Sequence, residues 1–213
     1  MDVSAAAEQL RKGGMVVIYD GDEREGEADL VFSAKSATPG KVERLRTDGG
    51  GLICAAISKA DAKRIALPFL ADVLERDANL RGMVYKKTAY GDKPAFSISV
   101  NHRDVYTGIT DNDRSLTLKK LDEVVRERKG DFTKEFRTPG HVFILIGSGL
   151  ENRRGHTELA LELAEQCGIG GVMVLCEMLG KGKALPKEKA KAYAERNGFI
   201  FIEGKEIIAG GRT

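Results

Sequence analysis

The run MVVIYDGDEREGEADLVFS, residues 15–33, governs the reading of the whole chain. Met15 to Tyr19 is a continuous apolar stretch suited to a buried strand, and Leu30 to Ser33 is a second strand-like stretch. Between them, the segment DGDEREGEAD at residues 20–29 carries six carboxylates and Arg24. The pattern is strand, functional loop, strand. The loop is either a solvated hairpin connection or a cation site. Calcium suits it poorly, because Arg24 stands where an acidic ligand is expected, Gly26 is out of step and Val31 occupies the bidentate glutamate position. Magnesium suits it better, since that ion is held by one or two carboxylates and keeps waters and substrate oxygens. Arg24 among the acids would then anchor a phosphate or hydroxyl group.

Outward from this run, residues 5–12 form a short helix that Gly13 and Gly14 end. Thr38 before Pro39 starts another helix, which stops near Gly49 to Gly51. Leu52 to Ile57 reads as a buried strand, and Ser58 caps a helix reaching about Ala66 that Pro68 closes. Residues 71–94 have poor periodicity. Phe96, Ile98 and Val100 alternate with Ser97 and Ser99, the pattern of a half-buried strand. Leu116, Leu118, Leu121, Val124 and Val125 predict a helix ending near Gly130. Val142 to Ile146 is a strand, Thr157 to Gln166 a helix, Val172 to Leu175 a strand, Pro186 to Arg196 a helix and Phe199 to Ile202 a last strand. Helices and strands interleave without strict βαβ regularity, and there is no internal repeat or linker. The expectation is a single layered α+β domain over residues 1–213, with a mixed sheet covered by helices.

Composition narrows the partners. Hydrophobic residues are 42% of the 213 and charged residues 31%, enough for a real core. The net charge of +2 comes from 34 basic and 32 acidic side chains mixed along the chain, without the basic surplus of a nucleic-acid protein. Cys54, Cys167 and Cys176 are odd in number and far apart, which suggests neither a disulfide framework nor a zinc knuckle and suits a reducing cytosol. The N-terminus lacks a signal-peptide apolar stretch, and no segment approaches the roughly 20 apolar residues of a membrane span. A cytoplasmic protein without membrane or nucleic-acid partners is expected.

Further chemistry is concentrated in a few segments. NRRGHTELA at residues 152–160 puts two arginines and a glycine before a helix starting at His156 and Thr157, a natural phosphate site, although a capped surface helix would read alike. His156 could bond backbone or ligate a metal. FRTPGHVFILI at residues 136–146 reads as a proline-glycine turn feeding a buried strand, with His141 either structural or beside a pocket. Cys176 and Glu177 follow the strand Val172 to Leu175, which places the Glu177 carboxylate at the kind of strand end that carries ligands, and Cys54 and Cys176 read as small buried residues. In TGITDNDR, residues 107–114, Asp111 or Asp113 is expected to cap the next helix, and the same groups could touch a sugar. Together these residues fit a metal-assisted phosphosugar enzyme without naming its reaction. An isomerase, an aldolase or a non-catalytic phosphosugar- or RNA-binding module stays open at this stage.

DEREGEADLVF, GGLICAAI, TGITDNDR, RTPGHVF, RRGHTELALELA and VLCEM, in this order, closely resemble the segments of the 3,4-dihydroxy-2-butanone 4-phosphate synthase family across nearly the whole chain. The Arg24-Glu25-Gly26-Glu27 form of the loop and ISVNHRDVYTGITDNDR look like archaeal, single-function members. The resemblance implies an α+β fold, a homodimer, and two magnesium or manganese ions bound with D-ribulose 5-phosphate. It implies a lyase that releases formate in riboflavin biosynthesis. By matching motif, Glu25 and His156 would be the metal ligands. Arg24, Glu25, Asp29, Arg153, Arg154, Gly155, His156, Thr157 and Glu177 would bind substrate. His141 and Glu177 match positions essential for catalysis, and Asp20 joins Glu177 as a candidate proton carrier.

Overall fold

In a computed structural model that describes residues 3–84, 91 and 93–211, seven strands form one sheet in the order β4-β5-β3-β6-β2-β1-β7. The chain runs α1 (Val3–Arg11), β1 (Val16–Tyr19), β2 (Ala28–Ser33), α2 (Pro39–Thr47), β3 (Cys54–Ile57), α3 (Lys59–Arg64), α4 (Leu70–Leu74), β4 (Phe96–His102) and α5 (Asp111–Arg126). It continues through α6 (Phe132–Glu135), β5 (Phe136–Ile146), α7 (His156–Gln166), β6 (Met173–Glu177), α8 (Lys187–Arg196), β7 (Ile200–Glu203) and α9 (Gly204–Gly210). β1 is antiparallel to β2 and parallel to β7, β6 lies antiparallel between β2 and β3, and β3 runs parallel to β5. This is the mixed α+β sheet that the irregular order of helices and strands predicts.

Strand alternation sorts side chains between two covered faces. Val17, Leu30, Phe32, Ala55 and Val174 pack with Val42 and Leu45 of α2, Leu118 and Leu121 of α5, and Ala190 and Ala194 of α8. Their sequence neighbours Val16, Ile18, Val31, Cys54, Met173 and Leu175 face the other way, with Leu10 of α1, Leu159 and Leu163 of α7 and Ile207 of α9. Burial on both faces explains why the central strands read as unbroken apolar runs. Each fully buried Leu, Ile or Phe contributes about 1.5–3 kcal/mol, so this double core is the main stabilising element.

Thr38 and Ser58 cap α2 and α3 as the sequence predicts, accepting from Lys41 N and Asp61 N. Other expectations are corrected. α3 ends at Arg64, before Pro68, because Ala66 adopts a positive φ of 58° that a helix cannot continue. α5 is capped by Thr110, whose hydroxyl accepts from Asp113 N at 3.1 Å. Asp113 instead accepts from Gly108 N at 2.9 Å, and Asp111 pairs with Arg46, so neither aspartate is the cap. The alternation in β4 is broken by a register shift between Phe96 and Ser99. Ser97 is therefore buried, donating to Pro68 O at 2.7 Å, while Phe96 is 37% exposed. The proline-glycine segment of residues 136–140 is not a turn: it lies within β5, where a second register shift absorbs the irregular backbone. Within 71–94, α4 and a 3₁₀ turn at Arg81–Met83 are formed, and residues 85–90 and 92 lie outside the described residues. Among the described residues, no helix is long and apolar enough to cross a membrane.

Candidate active site

The acidic loop between β1 and β2 is shaped from within by Asp20. Its buried carboxylate accepts from Glu27 N (3.0 Å) through Oδ1, and from Glu25 N (3.1 Å) and Arg24 Nη1 (2.9 Å) through Oδ2. The backbone closes the same loop, with Asp20 N donating to Glu27 O and Arg24 N to Gly21 O. The segment is therefore an ordered loop rather than a solvated connection. Asp22 and Glu23 face solvent, whereas Glu25 and Glu27 are half-buried.

The first turn of α7 meets this loop. His156, 6% exposed, has Nε2 3.1 Å from Glu27 O, which can only accept, so Nε2 carries a proton. Nδ1 lies 3.6 Å from Glu25 Oε2, and Nε2 lies 3.6 Å from Asp29 Oδ1. One ligand atom from each of Asp20, Glu25 and His156 falls within 4.8 Å of the others, close enough to hold one metal ion. With Nε2 engaged by a carbonyl, Nδ1 is the imidazole atom left for a metal, and the backbone partner orients the ring. Asp29 Oδ1 is buried and receives no hydrogen bond, as expected of an atom that completes its contacts with a cation or substrate.

The electrostatics agree with that chemistry. Burial opposes the charged imidazolium, yet Asp29, Glu25 and Asp20 outweigh it and raise His156 to about 9. Burial, with Glu177, Glu25 and Glu27, pushes Asp29 up to about 7 against the pull of His156. Glu27 is also raised, by burial first and then by Glu25. Glu177, the last residue of β6, stands directly opposite Asp29 across the strands. Like charges so placed repel unless a proton or cation intervenes. Oxygen donors with one imidazole suit magnesium or manganese in a multi-carboxylate site.

Beside the acids lies a basic helix start. Gly155 caps α7, and a Cβ there would overlap the Arg153 guanidinium and approach Arg24 Nη2 to 2.7 Å. Glycine thus lets two guanidinium groups close over the free amides of α7. Asp20 holds Arg24, and Glu158, buried in the first turn, holds Arg153. Its Oε2 accepts from Arg153 Nη1 (2.6 Å) and Gly155 N (3.3 Å), and its Oε1 accepts from Ser148 N (2.9 Å). Thr157 is buried in the same turn. Arg154 is exposed and, with Asp20, Arg24 and Lys205, lines a cavity of about 550 Å³ on the outer side of the acidic loop.

The fold therefore gathers Asp20, Arg24, Glu25, Asp29, Arg153, Gly155, His156, Thr157 and Glu177 from three separate segments, with Arg154 at the rim. It does not join His141 to them: that residue bonds Asn101 of β4, with no hydrogen bond or ion pair to Asp20, Glu25, Asp29, His156 or Glu177. Cys54 is buried, and burial followed by Glu177 and Asp29 pushes its thiol well up, leaving it neutral. Sequence reasoning missed Glu158, although the Gly155-x-x-Glu158 spacing of a capping box could have signalled it. It also missed that Asp20 reaches within 4.8 Å of the Glu25 and His156 ligand atoms, and it missed the Glu27 carbonyl, a backbone group with no side-chain signature.

The family model for 3,4-dihydroxy-2-butanone 4-phosphate synthase matches residues 4–210. A Methanosarcina mazei protein named 3,4-dihydroxy-2-butanone 4-phosphate synthase is 44% identical, the match covering 97% of this chain and 90% of that protein. One of the same name from Archaeoglobus fulgidus is also 44% identical, with 98% and 93% covered. A crystal structure of a 3,4-dihydroxy-2-butanone 4-phosphate synthase in complex with two magnesium ions superposes with a TM-score of 0.81 at 27% identity, over 98% of this chain and 95% of that one.

Proposed function

The chain belongs to the 3,4-dihydroxy-2-butanone 4-phosphate synthase family, and from that premise we propose that it converts D-ribulose 5-phosphate into L-3,4-dihydroxy-2-butanone 4-phosphate and formate in riboflavin biosynthesis. The observation that carries the reading is the convergence of Asp20, Glu25 and His156 ligand atoms within 4.8 Å, beside the guanidinium groups gathered over Gly155. Residues 1–213 are taken as one synthase domain.

Glu25 and His156, with Asp20, would hold the cation, and a second ion would share the neighbouring carboxylates with the substrate. Bound magnesium or manganese supplies Lewis acidity that makes proton removal beside the ketone feasible. Arg24, Arg153, Arg154 and the amides of His156 and Thr157 bind the phosphate, fixing the sugar's orientation. Burial and the neighbouring carboxylates raise Asp29 to about 7 without a cation, and a bound cation beside it would favour the charged carboxylate. Asp20 has both carboxylate oxygens engaged by the loop, so we assign it to loop shape and metal. The substrate proton passes instead to Glu177, and His141, which lies apart from that cluster within one chain, would serve as the second proton carrier at the site of the partner subunit in a homodimer.

A homodimer is part of the reading. The outer strands offer it a partly open apolar face, with Phe143 and Leu145 half-buried and Phe96 37% exposed. Three buried free cysteines suit a reducing cytoplasm.

The test is formate release from D-ribulose 5-phosphate by the purified protein, with magnesium, without it and after chelation. Formate should form in step with the four-carbon phosphate, stop on chelation and return with magnesium. Folded, metal-loaded protein that makes no formate would refute the synthase reading in favour of an isomerase or binding protein.

A further inference from the structure

Where β5 breaks register with β4, the amides of Gly140 and His141 bond side chains of β4 instead of its backbone. Gly140 N donates to Ser99 Oγ at 3.2 Å, and His141 N donates to Asn101 Oδ1 at 2.9 Å. The second bond settles which end of the Asn101 amide faces His141, because a backbone N–H can only donate and its partner must be the oxygen. The same oxygen lies 3.2 Å from His141 Nδ1. Since that oxygen cannot donate, Nδ1 must carry the hydrogen, and in the neutral ring the lone pair is left on Nε2.

The amide is itself held. Gly108, at φ +88°, packs so closely that a Cβ would overlap the Asn101 amide. Gly108 N donates to Asp113 Oδ2 in the first turn of α5, tying this backing loop to the helix. The TGITDNDR segment thus acquires a purpose that helix capping alone does not explain.

The other two histidines are set oppositely. His102 Nδ1 accepts from Asp104 N at 3.3 Å, and His156 Nε2 donates to Glu27 O at 3.1 Å. His102 therefore carries its hydrogen on Nε2, the nitrogen preferred by an unconstrained histidine, and His156 carries one on Nε2 whether or not Nδ1 is also protonated. His141 alone of the three is held in the less common form.

We propose that Asn101 is the positioning residue for His141, holding its imidazole as the Nδ1–H tautomer so that Nε2 is the atom that takes up a proton in the reaction. The role rests on the synthase reading, in which His141 carries a proton; the tautomer itself does not.

The experiment combines long-range ¹H–¹⁵N spectra of the histidine rings with steady-state formate release, in wild type, Asn101→Ala, Asn101→Asp and His141→Gln. Wild type should show one neutral ring with its single hydrogen on Nδ1, absent from His141→Gln. Asn101→Ala should convert that ring to Nε2–H and lower kcat by about 10²-fold, the scale of a positioned acid–base group, with KM little changed. Asn101→Asp, which still presents an accepting oxygen, should keep the Nδ1–H ring and recover most of kcat. If Asn101→Ala does not fold, Gly108→Ala, which displaces the amide without removing it, should reproduce the loss. An Nε2–H ring for His141 in wild type, or unchanged tautomer in Asn101→Ala, overturns the proposal. Absence of formate from wild type overturns the synthase reading instead, while the ring spectra still decide whether Asn101 sets the tautomer.

Discussion

His156 concentrates the site's chemistry in one ring, bonded through Nε2 to the Glu27 carbonyl and facing Glu25 through Nδ1. Its residue type and its position before a helical run are visible in the chain, which is why Glu25 and His156 can be named as candidate ligands from sequence. The charge balance that raises His156 to about 9 is not visible there, because it depends on Asp29 of β2 and on Glu25 and Asp20 of the loop before it, which together outweigh burial. Glu25→Gln and His156→Ala should each reduce formate formation by about 10²-fold or more, the loss expected when a group stabilising developing charge is removed. Both should retain the wild-type circular dichroism spectrum. Wild-type activity and magnesium affinity in folded variants would remove these residues from the site.

Elements are legible where their signals are local. Thr38 with Pro39, and Ser58, start α2 and α3 where a cap hydroxyl can reach a free amide within three residues. The start of α5 was misread between near-equivalent polar residues: Thr110, Asp111 and Asp113 can all cap, and the choice falls to whichever is not claimed elsewhere. Arg46 takes Asp111 and the Gly108 amide takes Asp113, leaving Thr110. Thr110→Ala should therefore cost about 1 kcal/mol, measured as a lower urea midpoint with unchanged slope, whereas Asp111→Ala should leave α5 capped. A larger midpoint shift for Asp111→Ala would reverse the assignment. β5 escaped for a related reason. Pro139 and Gly140 carry turn signals, and only a neighbouring strand with Ser99 and Asn101 to receive the displaced amides keeps them in the sheet.

Across the whole molecule, one sheet places the ends of β1, β2 and β6 against the start of α7, so folding itself assembles a cluster of acids around a buried imidazole. That assembly predicts how stability follows pH. Folding raises His156 from 6.5 to about 9, so its stabilisation is complete below 6.5 and is lost as pH rises through about 9. Asp29, raised from 3.8 to about 7, acts in the same sense at lower pH, because the folded state keeps a proton that the unfolded chain has already released. The melting temperature of metal-free protein should therefore fall from pH 6.5 to 9, and the gain on adding magnesium should grow over the same interval as the metal takes the proton's place. Equal slopes in wild type and His156→Ala would show that another group sets the trend. The α+β class, the central strands, most of the long helices, the acidic loop and the basic helix start were all readable in the chain, because alternation, capping and charge runs act between residues close in sequence. Folding alone determined that Asp29 faces Glu177, that Glu158 clamps Arg153 and that Asn101 orients His141. Those contacts join distant segments through strand register and burial, and register is set by the packing of the whole sheet.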